Sequence, residues 1–173
     1  MRLIKLAILS IIFLFLLVTA ISLFIPSQIR ISKAVDINSS RENVLLQLAN
    51  PIQWRYWYPG ADSLELLYIH GEVKGIVVDS IRQREIFISE KNDSSVITVY
   101  GGPGAKKIVS GWKIITGNDP RFVTVQWWMD FKLRWYPWEK FSSLFFENIY
   151  GVQMKKGLAN LKQLLEANRS SLN

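Results

Sequence analysis

The chain has 173 residues, enough for an apolar N-terminal segment and one folded domain of about 140 residues. It contains no cysteine, which excludes a disulfide framework, thiolate metal ligands and a thiol nucleophile. The formal net charge is +7, but four of the 21 Lys and Arg residues precede residue 34. The rest of the chain has 17 Lys and Arg and 14 Asp and Glu. This small excess of positive charge does not predict a nucleic-acid partner.

Residues 6–25 form an apolar segment of twenty residues without a charge. A helix needs about 20 apolar residues to cross a bilayer, so the segment predicts a transmembrane anchor within residues 1–28. The alternative is a signal peptide, because Val18-Thr19-Ala20 resembles a small-residue cleavage site. The apolar run continues past that site to Ile25, which favours an uncleaved anchor.

The charges that flank this segment predict its orientation. Arg2 and Lys5 precede it, and Arg30 and Lys33 follow it, so the free amino group tips the balance towards a cytoplasmic N-terminus. We therefore expect a single-pass protein of the inner (cytoplasmic) membrane whose domain lies on the periplasmic side.

The domain begins with a predicted strand at residues 29–37, where apolar side chains largely alternate with polar ones. Ser39 and Glu42 have the spacing of a capping box, which predicts that a helix starts there. Pro51 disfavours helical geometry in the residue before it, so this helix should end near Asn50.

The next segment, IQWRYWYP at residues 52–59, places two tryptophans and two tyrosines around Arg55. We interpret it as a short aromatic-rich helix wedged against the sheet. Two alternatives are the rim of a ligand portal and a platform that stacks single-stranded nucleic acid. The platform is disfavoured because one arginine does not make a basic groove.

The middle of the chain predicts a meander of antiparallel strands joined by hairpins. Short apolar runs occupy residues 64–69, 73–81, 85–89, 96–100 and 108–116. The breaks between them fall at His70-Gly71, Gln83, Asn92-Asp93 and residues 101–104. A longer strand follows at residues 123–135, in which every odd position is apolar. This period of two predicts a buried face covered by a helix and a wet face opposite, and it brings the total to seven strands.

The C-terminal arm, residues 138–168, carries two apolar stripes. On a straight helix one stripe would lie nearly opposite the other, and one rod cannot bury both. A break near Gly151 resolves this, with a helix before it and a second helix from residue 152. The first stripe contains Phe141, Phe145, Ile149 and Val152, and the second contains Met154, Leu158, Leu161 and Leu165.

Three passages resemble the START-like (SRPBCC) superfamily and its polyketide cyclase/dehydrase-like branch. They are VDINS at residues 35–39, WRYWYP at 54–59 and the closing segment at 135–166, which is similar to that of membrane-tethered bacterial members. The resemblance implies an α+β helix-grip fold for residues 29–168, in the order β-α-α-β6-α, with a curved antiparallel sheet wrapped around the C-terminal helix. Residues 169–173 are expected to form a disordered tail.

The resemblance also implies a hydrophobic cavity between sheet and C-terminal helix that takes a lipid or another apolar molecule. Trp112, Trp127, Met129 and Phe131 on the sheet and Phe145, Ile149 and Val152 on the arm are the candidate lining residues, with polar contacts from Tyr100 or Asn148. The alternative is that the same side chains fill a solid core.

No catalytic constellation accompanies these residues. His70, the only histidine, adjoins Gly71 at a predicted turn and lacks an orienting partner, and without cysteines it cannot build a zinc site unless carboxylates supply the other ligands. GGPGAKK at residues 101–107 lacks the phosphate-loop pattern and predicts a hairpin turn. We expect no metal and no cofactor.

Three functions remain open. The leading hypothesis is a membrane-anchored, non-catalytic protein that binds a hydrophobic small molecule or lipid. The second is a cyclase or dehydratase that acts on a cavity-bound carbonyl compound, with Glu147 or His70 as proton carrier. The third is an interaction module that presses exposed Trp128, Tyr136 and Trp138 on a partner or a membrane. The sequence predicts neither the ligand's identity nor the oligomeric state.

Overall fold

The computed structural model describes residues 2–117, 119 and 121–170. Its first element is the apolar helix α1 (Arg2–Ser22), whose most apolar stretch is not buried against the domain. The predicted N-terminal apolar helix is therefore present, and it is long and apolar enough to cross a membrane. A signal sequence has the same length and composition.

Seven antiparallel strands form one curved sheet in the order β1-β7-β6-β5-β4-β3-β2. This confirms the predicted strand count and the meander of hairpins between the second and seventh strands. The last strand pairs with the first, so that Ile37 of β1 lies opposite Val123 of β7. The strands are β1 (Gln28–Ile37), β2 (Glu65–Ile69), β3 (Glu72–Asp79), β4 (Arg84–Asn92), β5 (Ser95–Gly101), β6 (Ile108–Thr116) and β7 (Val123–Lys132).

Helical segments occupy the predicted positions between β1 and β2 and after β7, which confirms the α+β helix-grip arrangement. They are α2 (Arg41–Ala49), a 3-10 helix (Pro51–Tyr56), α3 (Pro137–Ser142), a 3-10 turn (Ser143–Phe145), a π-helical turn (Glu147–Gly151) and α4 (Val152–Ser170). Thus α4 extends into the first two residues of the predicted tail, and residues 171–173 lie outside the described part of the chain.

The N-terminal cap of α2 is Ser40, one residue later than predicted. Its hydroxyl accepts a hydrogen bond of 3.3 Å from the backbone N of Asn43. Ser39 is buried instead, and Glu42 is exposed. The capping-box prediction was wrong because the helix begins at Arg41, which makes the preceding serine the residue whose hydroxyl reaches a free amide.

The long strand predicted at residues 123–135 also ends early, at Lys132. The next residue, Leu133, donates its backbone N–H to Ser27 O at 2.8 Å, so the chain still runs beside the residue preceding β1. Pro137 then starts α3 at its first position, where a missing N–H costs nothing.

The helix α4 covers the inner face of the sheet. Its second apolar stripe, spaced by four, three and four residues, is buried as predicted: Met154, Leu158, Leu161 and Leu165 are each 5% exposed or less. The 3-10 helix wedges into the same core, where Trp54 donates its indole N–H to Leu48 O at 2.9 Å. This confirms that the aromatic segment packs against the sheet.

Candidate functional site

A half-open hollow of about 360 Å³ lies between the inner face of the sheet and the start of α4. The sheet contributes one wall from strands β4 to β7, and the segment after the 3-10 helix and the arm contribute the other. The residues that line it are Tyr58, Pro59, Ile86, Thr98, Tyr100, Ile108, Ser110, Trp127, Met129, Tyr150, Gln153 and Met154.

The cross-strand register explains why space remains here. One row of side chains across the inner face contains two large rings, because Trp112 on β6 lies opposite Trp127 on β7. The next row contains Thr98 and Ser110 opposite each other, with Met129 beyond them. Two small side chains in neighbouring strands leave a depression that the facing helix does not fill.

Aromatic rings fill the other end of the core. Trp112 packs against Trp127 with ring centroids 5.4 Å apart, and it also contacts Trp54 at 5.6 Å and Trp57 at 5.5 Å. Trp112 is 1% exposed, belongs to this packed cluster and is not among the residues that line the hollow, which corrects the prediction for this residue. Tyr58 lies beside Trp127 with ring centroids 5.3 Å apart and marks the boundary between cluster and hollow.

Two of the small polar groups in the hollow already have partners. Trp127 Nε1 donates to Ser110 Oγ at 2.9 Å, and this hydroxyl donates in turn to Trp128 O at 2.9 Å. Thr98 Oγ1 donates to Ser110 O at 3.4 Å. These bonds fix the tryptophan ring and use the hydroxyl protons of Ser110 and Thr98, so that neither hydroxyl is a free hydrogen-bond donor to a ligand.

Three phenol groups remain. The hydroxyls of Tyr58, Tyr100 and Tyr150 make no hydrogen bond within the described part of the chain. Burial raises the pKa of Tyr58 to about 12, and burial together with the nearby Tyr100 raises the pKa of Tyr150. Both phenols therefore stay protonated and neutral at physiological pH, where they can donate a hydrogen bond.

The side chains that line the hollow carry no charge. A buried ionised ligand would be strongly disfavoured in such a site, because nothing would replace its hydration. The arrangement suits a neutral, mainly apolar molecule that has a hydrogen-bond acceptor at one end.

The predicted lining residues divide into two groups. Tyr100, Trp127 and Met129 on the sheet line the hollow. Phe131 lies just beyond it, against Phe146 with ring centroids 4.7 Å apart. The four arm residues point the other way: Phe145, Ile149 and Val152 are 62%, 56% and 59% exposed, and Asn148 is exposed.

The prediction of which arm residues face the sheet was wrong, because the inward face is shifted along the sequence. The stripe that turns inward is Phe146, Tyr150 and Met154, each one or two positions after a predicted residue. Both stripes are apolar at helical spacing, so periodicity alone could not distinguish them. A π-helical turn at Glu147–Gly151 then winds the backbone more widely than an α-helix and shifts the faces further.

A second recess of about 360 Å³ adjoins the hollow and shares Tyr100, Ile108 and Tyr150 with it. Its rim is basic, but Lys106 pairs with Glu139 at 2.7 Å and Arg84 donates to Pro103 O at 2.9 Å. The loop after β5 is thereby held against α3.

Neither candidate proton carrier faces the hollow. His70 is exposed in the turn between β2 and β3, with a φ of 53°. Glu147 is 55% exposed and pairs with Lys33 of β1. Both groups lie in water, so they cannot act as acid or base on a molecule in the hollow.

No model of a protein family matches the sequence, and no curated protein matches it. Solved structures do. The protein XoxI from Bacillus cereus has a TM-score of 0.58 at 16% identity, with 79% of this chain and 94% of that protein covered. A START superfamily protein from Mycobacterium smegmatis has a TM-score of 0.55 at 16% identity, with 80% and 97% covered.

CalU16 from Micromonospora echinospora is a third similar structure, with a TM-score of 0.55 at 10% identity. The similarity covers 78% of this chain and 73% of CalU16. At these identities the likeness is one of fold.

Proposed function

We propose that this chain, which has a START-like (SRPBCC), polyketide cyclase-like fold, is a membrane-anchored, non-catalytic protein that binds a neutral apolar small molecule or lipid. The observation that carries the proposal is the half-open hollow between sheet and α4, lined by uncharged side chains. Its volume of about 360 Å³ falls in the range of small-molecule sites.

The polar groups of the hollow narrow the class of ligand. Tyr58, Tyr100 and Tyr150 offer hydroxyl groups, while the rest of the wall is mainly aliphatic and aromatic. An alcohol, ketone or ester on an otherwise apolar skeleton would satisfy these donors without burying a charge. A free carboxylate or phosphate would not.

Contacts hold the segment that joins α1 to β1 against the domain. Lys140 of α3 is buried, and its Nζ donates to Ile25 O at 2.7 Å and to Ser27 Oγ at 2.9 Å. Ser22, at the end of α1, is also fully buried. These residues follow Ala20, so their contacts would survive cleavage there, and the preference for an uncleaved anchor rests on the apolar run that continues past this site to Ile25. A periplasmic position of the domain remains a prediction from the flanking charges.

The enzyme alternative has less support, because His70 and Glu147 both lie outside the hollow. An acid–base mechanism would have to use the tyrosines alone, and the pKa of Tyr58 is raised, so it is a poor proton donor to a carbonyl. A binding function requires no such group.

The ligand can be sought by extraction of the full-length protein, purified in detergent, followed by mass spectrometry of the organic phase. Ile86 lines the hollow, so Ile86→Trp should fill it and exclude the ligand. Ile81→Trp is the matched control, because Ile81 is 94% exposed at the turn between β3 and β4. Lipids that coat α1 should be equal in all three proteins.

We expect a neutral apolar compound in the extracts of the native protein and of Ile81→Trp, and its loss from the folded Ile86→Trp variant. Identical extracts from all three proteins would contradict the proposal.

A further inference from the structure

The arm carries a second apolar surface that the hollow does not use. We call it the outer stripe. Its members are between 56% and 63% exposed, although each is a large hydrophobic residue: Trp135, Trp138, Leu144, Phe145, Ile149 and Val152. Contiguous exposed apolar surface of this kind marks a site of interaction with a protein or a membrane.

Burial places these residues on one side of the arm. Phe145 and Ile149 are exposed, whereas Phe146 and Tyr150, which directly follow them, pack against the core. Lys140 of α3 is likewise buried, while Trp138 is exposed. The outer stripe is therefore directed away from the sheet.

The position of α3 relative to α1 indicates what covers this face. The two helices pack against each other, and along α1 the burial is confined to the last turns, where Val18 and Thr19 are partly buried and Ser22 is fully buried. The remainder of α1 is exposed. Hence α3 lies beside the end of the apolar helix and not beyond it.

The thickness of a bilayer indicates how deep in the membrane α3 would lie. The 21 residues of α1 span about 30 Å, close to the thickness of the hydrocarbon core. Its last turn, from Val18 to Ser22, thus lies within the final ~6 Å of the helix. A helix packed against this turn stands at the boundary between acyl chains and headgroups, where tryptophan and tyrosine are enriched. Trp135, Tyr136 and Trp138 fall at this level.

Positive charges border the stripe. Arg134 is exposed, with its guanidinium 5.9 Å from the ring of Tyr136. Lys155 and Lys156 are exposed three and four residues after Val152, so they extend the same side of the arm. Glu147 is also exposed between Phe145 and Ile149, but its carboxylate is paired with Lys33. An apolar face bordered by cations complements the anionic surface of a bilayer.

We propose that the outer stripe docks on the membrane that holds α1, with its aromatic end in the headgroup layer. This inference rests on the proposed anchor. It adds a second attachment, which fixes the domain in one orientation on the bilayer. Val152 immediately precedes Gln153, an exposed residue that lines the hollow. Docking therefore brings the rim of the hollow to the lipid surface, where an apolar ligand could pass between them without crossing water.

Single cysteines test the docking, since the chain has none of its own. Phe145→Cys and Ile149→Cys report the stripe, Leu14→Cys reports the anchor, and Ile81→Cys is the exposed control. Each full-length variant is labelled with the polarity-sensitive fluorophore NBD. It is then reconstituted in vesicles of phosphatidylcholine and phosphatidylglycerol, with or without nitroxide-bearing lipid as a quencher.

The proposal predicts blue-shifted emission and quenching by the lipid nitroxide at positions 14, 145 and 149, and neither effect at position 81. If position 14 is quenched while 145 and 149 behave like 81, the anchor stands and the docking is wrong. A blue shift at 145 and 149 without lipid quenching means that protein covers the stripe, which also overturns docking. An unquenched position 14 overturns the anchor and, with it, the docking.

Discussion

Gly157 of α4 lies against the indole ring of Trp127 on β7. A Cβ atom at position 157 would come within 2.7 Å of Trp127 Cζ3 and within 2.9 Å of Pro59 Cδ. The absence of a side chain at this position lets the helix approach the sheet closely. The close approach seals the packed end of the core, while the sheet and arm remain apart at the hollow.

Gly157→Ala should destabilise the domain. Overpacking against two rigid rings costs about 1–3 kcal/mol. Alanine regains only about 1 kcal/mol through its helix propensity. The measurement is urea unfolding of the full-length protein in detergent, followed by tryptophan fluorescence. Gly117→Ala is the control, because a Cβ there would meet nothing within 4 Å, and a larger loss for the control would contradict the packing described here.

The hydrogen bond between Trp127 and Ser110 predicts that Trp127 and Trp112 contribute differently to stability. Trp127 Nε1 donates to Ser110 Oγ, whereas the buried Trp112 Nε1 has no partner within the described residues. Trp127→Phe should therefore cost about 1 kcal/mol more than Trp112→Phe, which removes the same ring volume without a hydrogen bond. In a Ser110→Ala background this difference should disappear. Equal losses in the native background would mean that the bond contributes nothing.

Lys140 holds the segment between α1 and β1 to the domain. Lys140→Met keeps an unbranched side chain but lacks the ammonium group, so it removes the bonds to Ile25 O and Ser27 Oγ. We expect faster proteolysis of residues 23–28 in the full-length protein in vesicles, since a charged hydrogen bond contributes about 1.5–3 kcal/mol. Lys156→Met changes an exposed lysine and should leave the rate unchanged. The same rate in both variants would refute the role assigned to Lys140.

The ion pair between Lys106 and Glu139 predicts a pH dependence. The hydrogen bond from Lys106, followed by that from the backbone of Arg134, lowers the pKa of Glu139 from its ordinary value of 4.5. A lowered folded-state pKa stabilises the protein above pH 4.5, and this contribution is lost as the pH falls through the lower value.

Glu139→Gln removes that contribution. The native protein should be more stable than the variant at pH 7, and the difference in the free energy of unfolding should shrink steadily between pH 4.5 and the acid limit. A difference that stays constant with pH would show that the carboxylate charge is not involved.

Much of the fold is predictable because its signals are local. The alternation of apolar residues at 123–131 and the turn residues at 70–71, 92–93 and 101–104 specify strands and hairpins without reference to the rest of the chain. Strand ends are less predictable. Leu133 continues the alternation, yet β7 stops before it, because its backbone bond goes to the segment that precedes β1.

The site was less predictable for two physical reasons. The arm has apolar residues in both phases, Phe145 beside Phe146 and Ile149 beside Tyr150, and hydrophobicity does not state which phase faces the sheet. If the outer stripe docks on the membrane, both phases are apolar because both are covered. The hollow itself depends on Thr98 facing Ser110, a cross-strand pairing that neither strand reveals alone.

Photolabelling of the hollow is the most direct test of the binding proposal. The full-length protein in vesicles is irradiated with a neutral alkyl diazirine, and the modified peptides are mapped by mass spectrometry. The account predicts labels on Tyr100, Met129 or Met154 in addition to α1. In Ile86→Trp the labels on these three residues should be lost, while the label on α1 persists as an internal control. Labelling confined to α1 in the native protein would contradict it.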